Sequence, residues 1–169
     1  MTLHELNQLP PAEAADSFFR CCGCRAWAEG MAAGRPYESL AGVHDAAAAV
    51  WRGLRREDWM EAFAAHPRIG DIDSLRKKYE NTKAWASGEQ SGVQAAAEAT
   101  LQGLARGNAA YERKFGFIFI VCATGKSAAE MLALLEARLP NTREQEVANA
   151  AAEQLKITRL RIDKWLTAA

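Results

Sequence analysis

Histidine is the side chain best suited to proton transfer near neutral pH, and the sequence contains three of them. His66 stands where a helical pattern must end, because Pro67 disfavours helical geometry in the residue before it. Position alone leaves two interpretations of His66: a side chain that complements the helix dipole, or a proton donor or acceptor. We expect His4, in a terminal helix, and His44, on an alanine-rich helix, to be surface or packing residues.

A second group of interest follows the long polar stretch after Pro67. Ser87, Gly88, Glu89 and Gln90 have the spacing of a capping box, which predicts the start of a long helix. Capping alone explains these residue types. A helix N-terminus also offers free backbone amides to an anionic ligand. In that case Glu89 would position His66 or polarise a substrate hydroxyl, and Gln90 would bind a urea-like or imide edge.

Residues 115–122 form the strand-like run of the sequence. Since a lone strand has no partner in a helical chain, we interpret the run as a buried extended segment or as the start of a helix. Apolar segments of this kind are most often core. The functional alternative is that the backbone around Phe119 and Val121 forms hydrogen bonds with a planar heterocycle.

The four cysteines look metal-binding at first sight, because Cys21, Cys22 and Cys24 are clustered while Cys122 lies far away. Zinc sites usually have a second ligand pair downstream, and this sequence has none. We therefore predict reduced, packed thiols and no metal. The sequence also lacks a nucleophile elbow, a phosphate loop and a paired-histidine zinc motif, which removes several common enzyme classes.

The elements that must position these groups are helices, since alanine is abundant and β-branched residues are sparse. The sequence predicts one all-α bundle and a single domain over residues 1–169. Gly107 and Asn108 are expected to break the helix that follows Ser87. Residues expected to cap or open other helices are Thr2, Pro11, Ser39, Ser127 and Asn141.

Charge and hydropathy set the broad class of the protein. Lys plus Arg equals Asp plus Glu at 21 each, so we expect no nucleic-acid or anionic-membrane partner. No apolar run approaches the ~20 residues that cross a bilayer. The first residues lack the order of a signal peptide, and the last residues are not a peroxisomal address. These features predict a cytoplasmic protein.

Taken in order, four stretches closely resemble the 2-oxo-4-hydroxy-4-carboxy-5-ureidoimidazoline (OHCU) decarboxylases. The resemblance covers nearly the whole chain, over residues 6–166. Its His-Pro, Glu-Gln and Phe-Gly-Phe elements are specific together, although each is weak alone. The four stretches are residues 63–70, 87–90, 111–123 and 156–161.

The resemblance implies an all-helical homodimer that decarboxylates OHCU to (S)-allantoin, the last step of urate-to-allantoin conversion, with no metal or organic cofactor. His66 would be the proton donor, Glu89 would hold or polarise the 4-hydroxyl, and Pro67 would line the substrate site. Arg161 would be a partner of a carboxylate or of a buried glutamate. Substrate contacts would come from Ala86, Ser87, Gly88, Glu89 and Gln90, and main-chain contacts from Phe119, Ile120, Val121, Cys122 and Ala123.

One departure from the family pattern concerns its substrate-binding loop. The family often has a serine three residues before the glutamate, where this chain has Ala86. Ser87 is adjacent, and it either replaces that serine or only caps the helix.

Two alternative functions are less well supported by the sequence. A hydrolase of the preceding urate intermediate has a transthyretin-like β fold, and an allantoin hydrolase normally uses a metal cluster. The sequence lacks the strands of the first and the ligands of the second. A non-catalytic interaction domain would use its tryptophans for partner contacts, but a buried core explains these residues more simply. They are Trp51, Trp59, Trp85 and Trp165.

Overall fold

The computed structural model describes residues 1–68, 71–79 and 91–168, with the backbone alone for residues 91–95. The helices in these ranges are α1 (Leu3–Gln8), α2 (Pro11–Phe19), α3 (Arg25–Ala33), α4 (Leu40–Arg52), α5 (Arg56–Ala64), α6 (Ile72–Tyr79), α7 (Ser91–Phe115), α8 (Ala128–Arg138) and α9 (Arg143–Trp165). Apart from one isolated bridge between Thr2 and Thr167, every regular element in the described residues is helical. The prediction of an all-α fold is confirmed.

Local capping chemistry explains where several helices begin. The Thr2 hydroxyl accepts the amide of Glu5, and the Glu5 carboxylate accepts the amide of Thr2 in return. Pro11 opens α2 without losing a hydrogen bond, since the first amides of a helix have no partner within it. Ser39 and Ser127 cap α4 and α8, as predicted.

The chain divides into two units, Met1–His66 with Ala150–Ala169 and Pro67–Asn149. In the first unit, Phe18 packs edge-on against three aromatic rings, with centroids 5.8 Å from Trp27, 6.4 Å from Tyr37 and 5.3 Å from Trp165. Such edge-to-face contacts stabilise a core beyond the area they bury. The single domain over residues 1–169 stays a prediction.

The predicted helix break at Gly107 and Asn108 is wrong, because α7 runs without interruption from Ser91 to Phe115. A Cβ atom on Gly107 would lie 2.4 Å from the Leu135 side chain of α8. The glycine therefore lets α8 approach α7 closely within the second unit. The close packing offsets the helix propensity that glycine lacks, about 1 kcal/mol relative to alanine.

The predicted cap at Asn141 is also wrong. The amide of Gln145 donates to the Thr142 hydroxyl, and the Thr142 amide donates to the Gln145 side chain. Thr142 is thus the capping residue of α9, which begins at Arg143. The Asn141 side chain instead donates to Glu146.

Of the two interpretations of residues 115–122, the helix start is wrong. Phe115 is the last residue of α7, and Gly116 adopts a φ of 83° that few other residues tolerate. From Phe117 to Ala123 the chain forms neither helix nor strand.

The described tryptophans serve mainly the core of the first unit. The indole N–H of Trp51 donates to the Ala151 carbonyl, and that of Trp59 donates to the Trp51 carbonyl. Trp165 packs on Phe18, as described above. Trp85 lies outside the described residues. None of the helices formed by the described residues combines the length and apolar character that crossing a bilayer demands.

Candidate active site

His66 lies just beyond the C-terminal end of α5, where its amide donates to the Phe63 carbonyl. Its ring is partly buried in the first unit. The ring atom Nε2 lies 2.5 Å from Oε1 of Gln154 on α9. His66 is therefore held by a neighbour 88 residues away and is more than a helix-end charge.

Gln154 belongs to a buried polar chain. Its Nε2 donates to the Thr158 hydroxyl at 3.1 Å, and that hydroxyl donates to the Gln154 carbonyl at 2.9 Å. Gln154 is 1% exposed and Thr158 is 2% exposed, so bulk water does not compete for these bonds. A buried polar group without a hydrogen bond lowers the stability of the fold. These hydrogen bonds satisfy both Gln154 and Thr158, and they also orient His66.

Burial lowers the pKa of His66 below its ordinary 6.5, because the low-dielectric surroundings disfavour the imidazolium. The hydrogen bond with Gln154 opposes this shift, and the positive charge of Arg161 adds to it. The lowered pKa keeps the imidazole of the resting protein neutral at pH 7.

A pH-dependent stability follows from this shift. At pH values between the lowered pKa and 6.5, His66 is largely protonated in the unfolded chain and largely neutral in the folded chain. Acidification therefore favours unfolding. We expect the free energy of unfolding of the wild type to fall more steeply between pH 7 and pH 5 than that of His66→Asn. Urea denaturation at a series of pH values measures both. Equal slopes would contradict the assigned shift, since all other titrating groups are shared.

Arg161, on the same helix, donates from its guanidinium to the Cys21 carbonyl at 3.1 Å. Within the first unit, no carboxylate among the described residues lies within ion-pair distance of it. Its charge acts on His66 and on the neighbouring thiols. Whether Arg161 pairs with a substrate carboxylate or with a glutamate stays a prediction.

The clustered cysteines are buried and are not disulfide-bonded. Burial raises the pKa of Cys21 to about 11 and that of Cys22 to about 12, and it also raises the pKa of Cys24. These thiols therefore stay protonated and poorly nucleophilic at neutral pH. Among the described residues, no three His, Cys, Asp or Glu side chains form a group able to hold a metal.

In the second unit, the segment from Phe119 to Ala123 is held by its carbonyls. Arg138 donates to the Ile120 carbonyl at 2.7 Å, and its guanidinium lies 4.6 Å from the centre of the Phe119 ring. Lys126 donates to the carbonyls of Cys122 and Ala123 through its side chain and amide. The amides of Phe119 and Val121 form no backbone hydrogen bond with any described residue.

Arg138 is itself fixed by Glu146, which is 0% exposed. One Glu146 oxygen accepts from Arg138 at 2.7 Å and from the Tyr111 hydroxyl at 2.5 Å. The other accepts from Asn141 at 2.9 Å and from Asn149 at 2.8 Å. The four donors satisfy the carboxylate and lower the pKa of Glu146 although burial acts in the opposite direction.

Sequence analysis missed Gln154, Thr158, Arg138 and Glu146 as site-forming residues. A signal for three of them was present, because polar and apolar side chains repeat every four residues on one stripe of α9. All members of this stripe are buried: Glu146, Ala150, Gln154, Thr158 and Ile162. Polar residues in register with apolar ones on a helix face indicate a buried polar network.

The remaining residues expected at the site are placed as follows. Pro67 is exposed and belongs to the second unit. Five of them lie outside the described residues: Ala86, Ser87, Gly88, Glu89 and Gln90. The expected meeting of His66 with Glu89, and the role of Ser87, therefore stay predictions.

Comparison with known proteins gives the family. A family model described as OHCU decarboxylase matches residues 7–163. The chain is 37% identical over 149 residues to the uric acid degradation bifunctional protein TTL of Arabidopsis thaliana, and 28% identical over 172 residues to the uric acid degradation bifunctional protein PucL of Bacillus subtilis. These matches cover 88% and 98% of this chain, but 46% and 33% of the two relatives, so the chain spans half or less of their length.

A relative of similar length is the OHCU decarboxylase of Haloferax volcanii, 25% identical over 96% of this chain and 94% of that protein. A crystal structure of OHCU decarboxylase in the presence of (S)-allantoin matches with a TM-score of 0.69 and 36% identity, over 89% of this chain and 96% of that one. Sequence and fold thus agree over most of this chain. The chain belongs to the OHCU decarboxylase family.

Proposed function

We propose that this protein decarboxylates OHCU to (S)-allantoin, with His66 as the proton donor and without a metal or organic cofactor. The observation that carries the proposal is the geometry of His66, a partly buried imidazole held through one ring nitrogen by buried Gln154. The family resemblance implies a proton donor at this position. A ring fixed on one side can deliver a proton to one face of a planar substrate, which sets the product's configuration.

The chemistry needs no external electron sink. The bond between ring carbon and carboxylate breaks, carbon dioxide leaves, and its electron pair passes into the neighbouring imine. The imine nitrogen takes up a proton, which gives an enol. A proton then adds to the adjacent ring carbon while the 4-hydroxyl loses its own proton and becomes a carbonyl. One proton is consumed for each carbon dioxide released, and the protein must supply orientation and proton delivery.

His66 fits this task in both charge states. Burial favours the neutral imidazole, so an imidazolium formed beside the substrate readily gives its proton up again. In this mechanism Glu89 would hold or polarise the 4-hydroxyl, Gln90 would bind the urea-like edge, and Arg161 would pair with a carboxylate. Pro67 and residues Ala86, Ser87 and Gly88 would line the substrate, and the backbone of Phe119, Ile120, Val121, Cys122 and Ala123 would contact it.

Support for the backbone contacts comes from the second unit. Arg138 fixes the Ile120 carbonyl, and the amides of Phe119 and Val121 form no backbone hydrogen bond with any described residue. Backbone amides and carbonyls along one segment suit a planar ring with alternating donors and acceptors. We further infer that the protein is a homodimer with one domain per chain and that it acts in the cytoplasm.

The test is to generate OHCU from urate with an oxidase and the hydrolase of the preceding intermediate, and then to add this protein. We expect faster loss of the OHCU ultraviolet absorbance together with a growing circular dichroism signal of (S)-allantoin. A hydrolase of the preceding intermediate would instead make OHCU accumulate when the known hydrolase is left out. No acceleration of either signal would refute the proposed function.

A further inference from the structure

We propose that Gln154, locked by Thr158, is a positioning residue that keeps the hydrogen of His66 on Nε2 and so makes Nδ1 the atom that transfers the proton. This inference rests on the proposed function and adds the identity of the working nitrogen. It concerns the first unit alone, where all three residues lie.

The hydroxyl of Thr158 has a single hydrogen to donate. It lies 2.9 Å from the Gln154 carbonyl one helical turn earlier and donates to that oxygen. Toward the Gln154 side chain, 3.1 Å away, it can then only accept. The Gln154 group that faces Thr158 is therefore the NH₂ group, which donates.

The planarity of the carboxamide determines which Gln154 atom faces His66. With its nitrogen turned to Thr158, Gln154 presents Oε1 to His66 Nε2. A carboxamide oxygen carries no hydrogen, so a hydrogen bond forms only when Nε2 of His66 is protonated. In the neutral ring this leaves Nδ1 with the lone pair, and no described residue of the first unit donates to it or accepts from it.

The alternative arrangement has the Gln154 carboxamide rotated by 180°. The Thr158 hydroxyl would then donate to the amide oxygen, and the amide nitrogen would donate to an unprotonated His66 Nε2. That arrangement holds a neutral ring but opposes an imidazolium, since both ring nitrogens of the charged form carry hydrogens. A proton donor passes through both forms in every turnover. The arrangement with Oε1 toward His66 accommodates both, because Nε2 keeps its hydrogen throughout.

Burial makes the arrangement durable. Gln154 and Thr158 are 1% and 2% exposed, so water cannot replace a lost partner without opening the core. The charged group acting on the His66 ring from α9 is Arg161, which disfavours the imidazolium and does not accept a hydrogen. The carboxamide oxygen is thus the acceptor that fixes the tautomer.

The experiment uses protein labelled with ¹⁵N-histidine, in which the three ring systems are few enough to assign, with His66→Asn identifying the His66 signals. At pH 8, the wild type is expected to show the Nε2–H tautomer at His66. Thr158→Val removes the hydroxyl at nearly constant shape and should give a mixture of tautomers. Thr158→Ser keeps the hydroxyl and should restore the wild-type spectrum. Gln154→Leu should abolish the preference.

Activity provides the second readout. Removal of the neighbour that orients a metal-ligating histidine typically costs about 10-fold to 100-fold in activity, and we take the same range for a histidine that transfers a proton. We expect losses in this range in kcat for Gln154→Leu and smaller ones for Thr158→Val, with KM within about twofold and with recovery in Thr158→Ser. A general packing defect would instead lower the amount of folded enzyme and leave the tautomer of the folded fraction unchanged.

The outcomes separate this inference from the proposed function. A wild type with the Nδ1–H tautomer overturns the inference, as does a Thr158→Val protein whose tautomer and kcat match the wild type. If Gln154→Leu does not fold, the Thr158→Val and Thr158→Ser pair still decides. A wild type with the Nε2–H tautomer but no OHCU turnover supports the assigned tautomer and refutes the proposed decarboxylase.

Discussion

His66→Asn is expected to lower kcat for (S)-allantoin formation by about 10²-fold to 10⁴-fold, the range that general acid–base catalysis contributes. Asparagine is shorter than histidine and has no atom at the position of Nε2, so it does not keep the hydrogen bond with Gln154. It cannot carry the transferable proton of an imidazolium. The measurement is the circular dichroism signal of (S)-allantoin produced from freshly generated OHCU, together with KM from the same series.

The matched control is His4→Asn, the same exchange at an exposed histidine of α1. We expect wild-type activity from it. Thermal unfolding of both variants checks that the fold is kept. A folded His66→Asn protein with the wild-type rate and stereochemistry would remove His66 from the mechanism, while activity lost equally in both variants would point to a cause outside the site.

Arg138→Leu is expected to cost about 3–5 kcal/mol of stability, because it leaves a buried carboxylate without its cation. Glu146 is 0% exposed, and Arg138 is the cation that bonds it among the described residues. For a chain of this length, each kcal/mol shifts Tm by roughly 2–4 °C, so a fall of about 6–20 °C is expected. Chemical denaturation gives the free energy directly.

Two controls separate charge burial from simple loss of an ion pair. Arg68→Leu removes the exposed Arg68–Glu112 pair of the same unit and should cost less than about 1 kcal/mol. The double variant Arg138→Leu with Glu146→Leu removes both charges and should recover much of the loss. If Arg138→Leu proves no more destabilising than Arg68→Leu, Glu146 is not the buried, charged group described above.

Sequence reasoning succeeded where the signals were local. The Thr2, Ser39 and Ser127 caps depend on residues three positions apart, and the structure contains all three. It failed at Gly107, because the contact that favours a glycine there comes from Leu135 on another helix. By residue type Asn141 is a better capping residue than Thr142 beside it, so the sequence alone favours the wrong one of the two.

The site shows the same division between local and distant information. His66 was identified from its place before Pro67 and from the family resemblance. Its partner Gln154 is 88 residues away and could not be paired with it by spacing. Glu146 likewise meets Tyr111 across 35 residues. What the sequence did contain was a stripe on α9 in which polar and apolar residues recur every four positions. Such a stripe indicates burial of the polar groups but does not identify their partners.

The buried cysteines give each unit a chemical reporter of its own opening. Cys21, Cys22 and Cys24 lie in the first unit and Cys122 in the second, and all are shielded from solvent in the folded chain. A thiol reagent can therefore modify them only when the surrounding structure opens transiently. In variants that keep a single cysteine, the rate of alkylation reports how often the structure around that cysteine opens. Mass spectrometry measures this rate without any substrate.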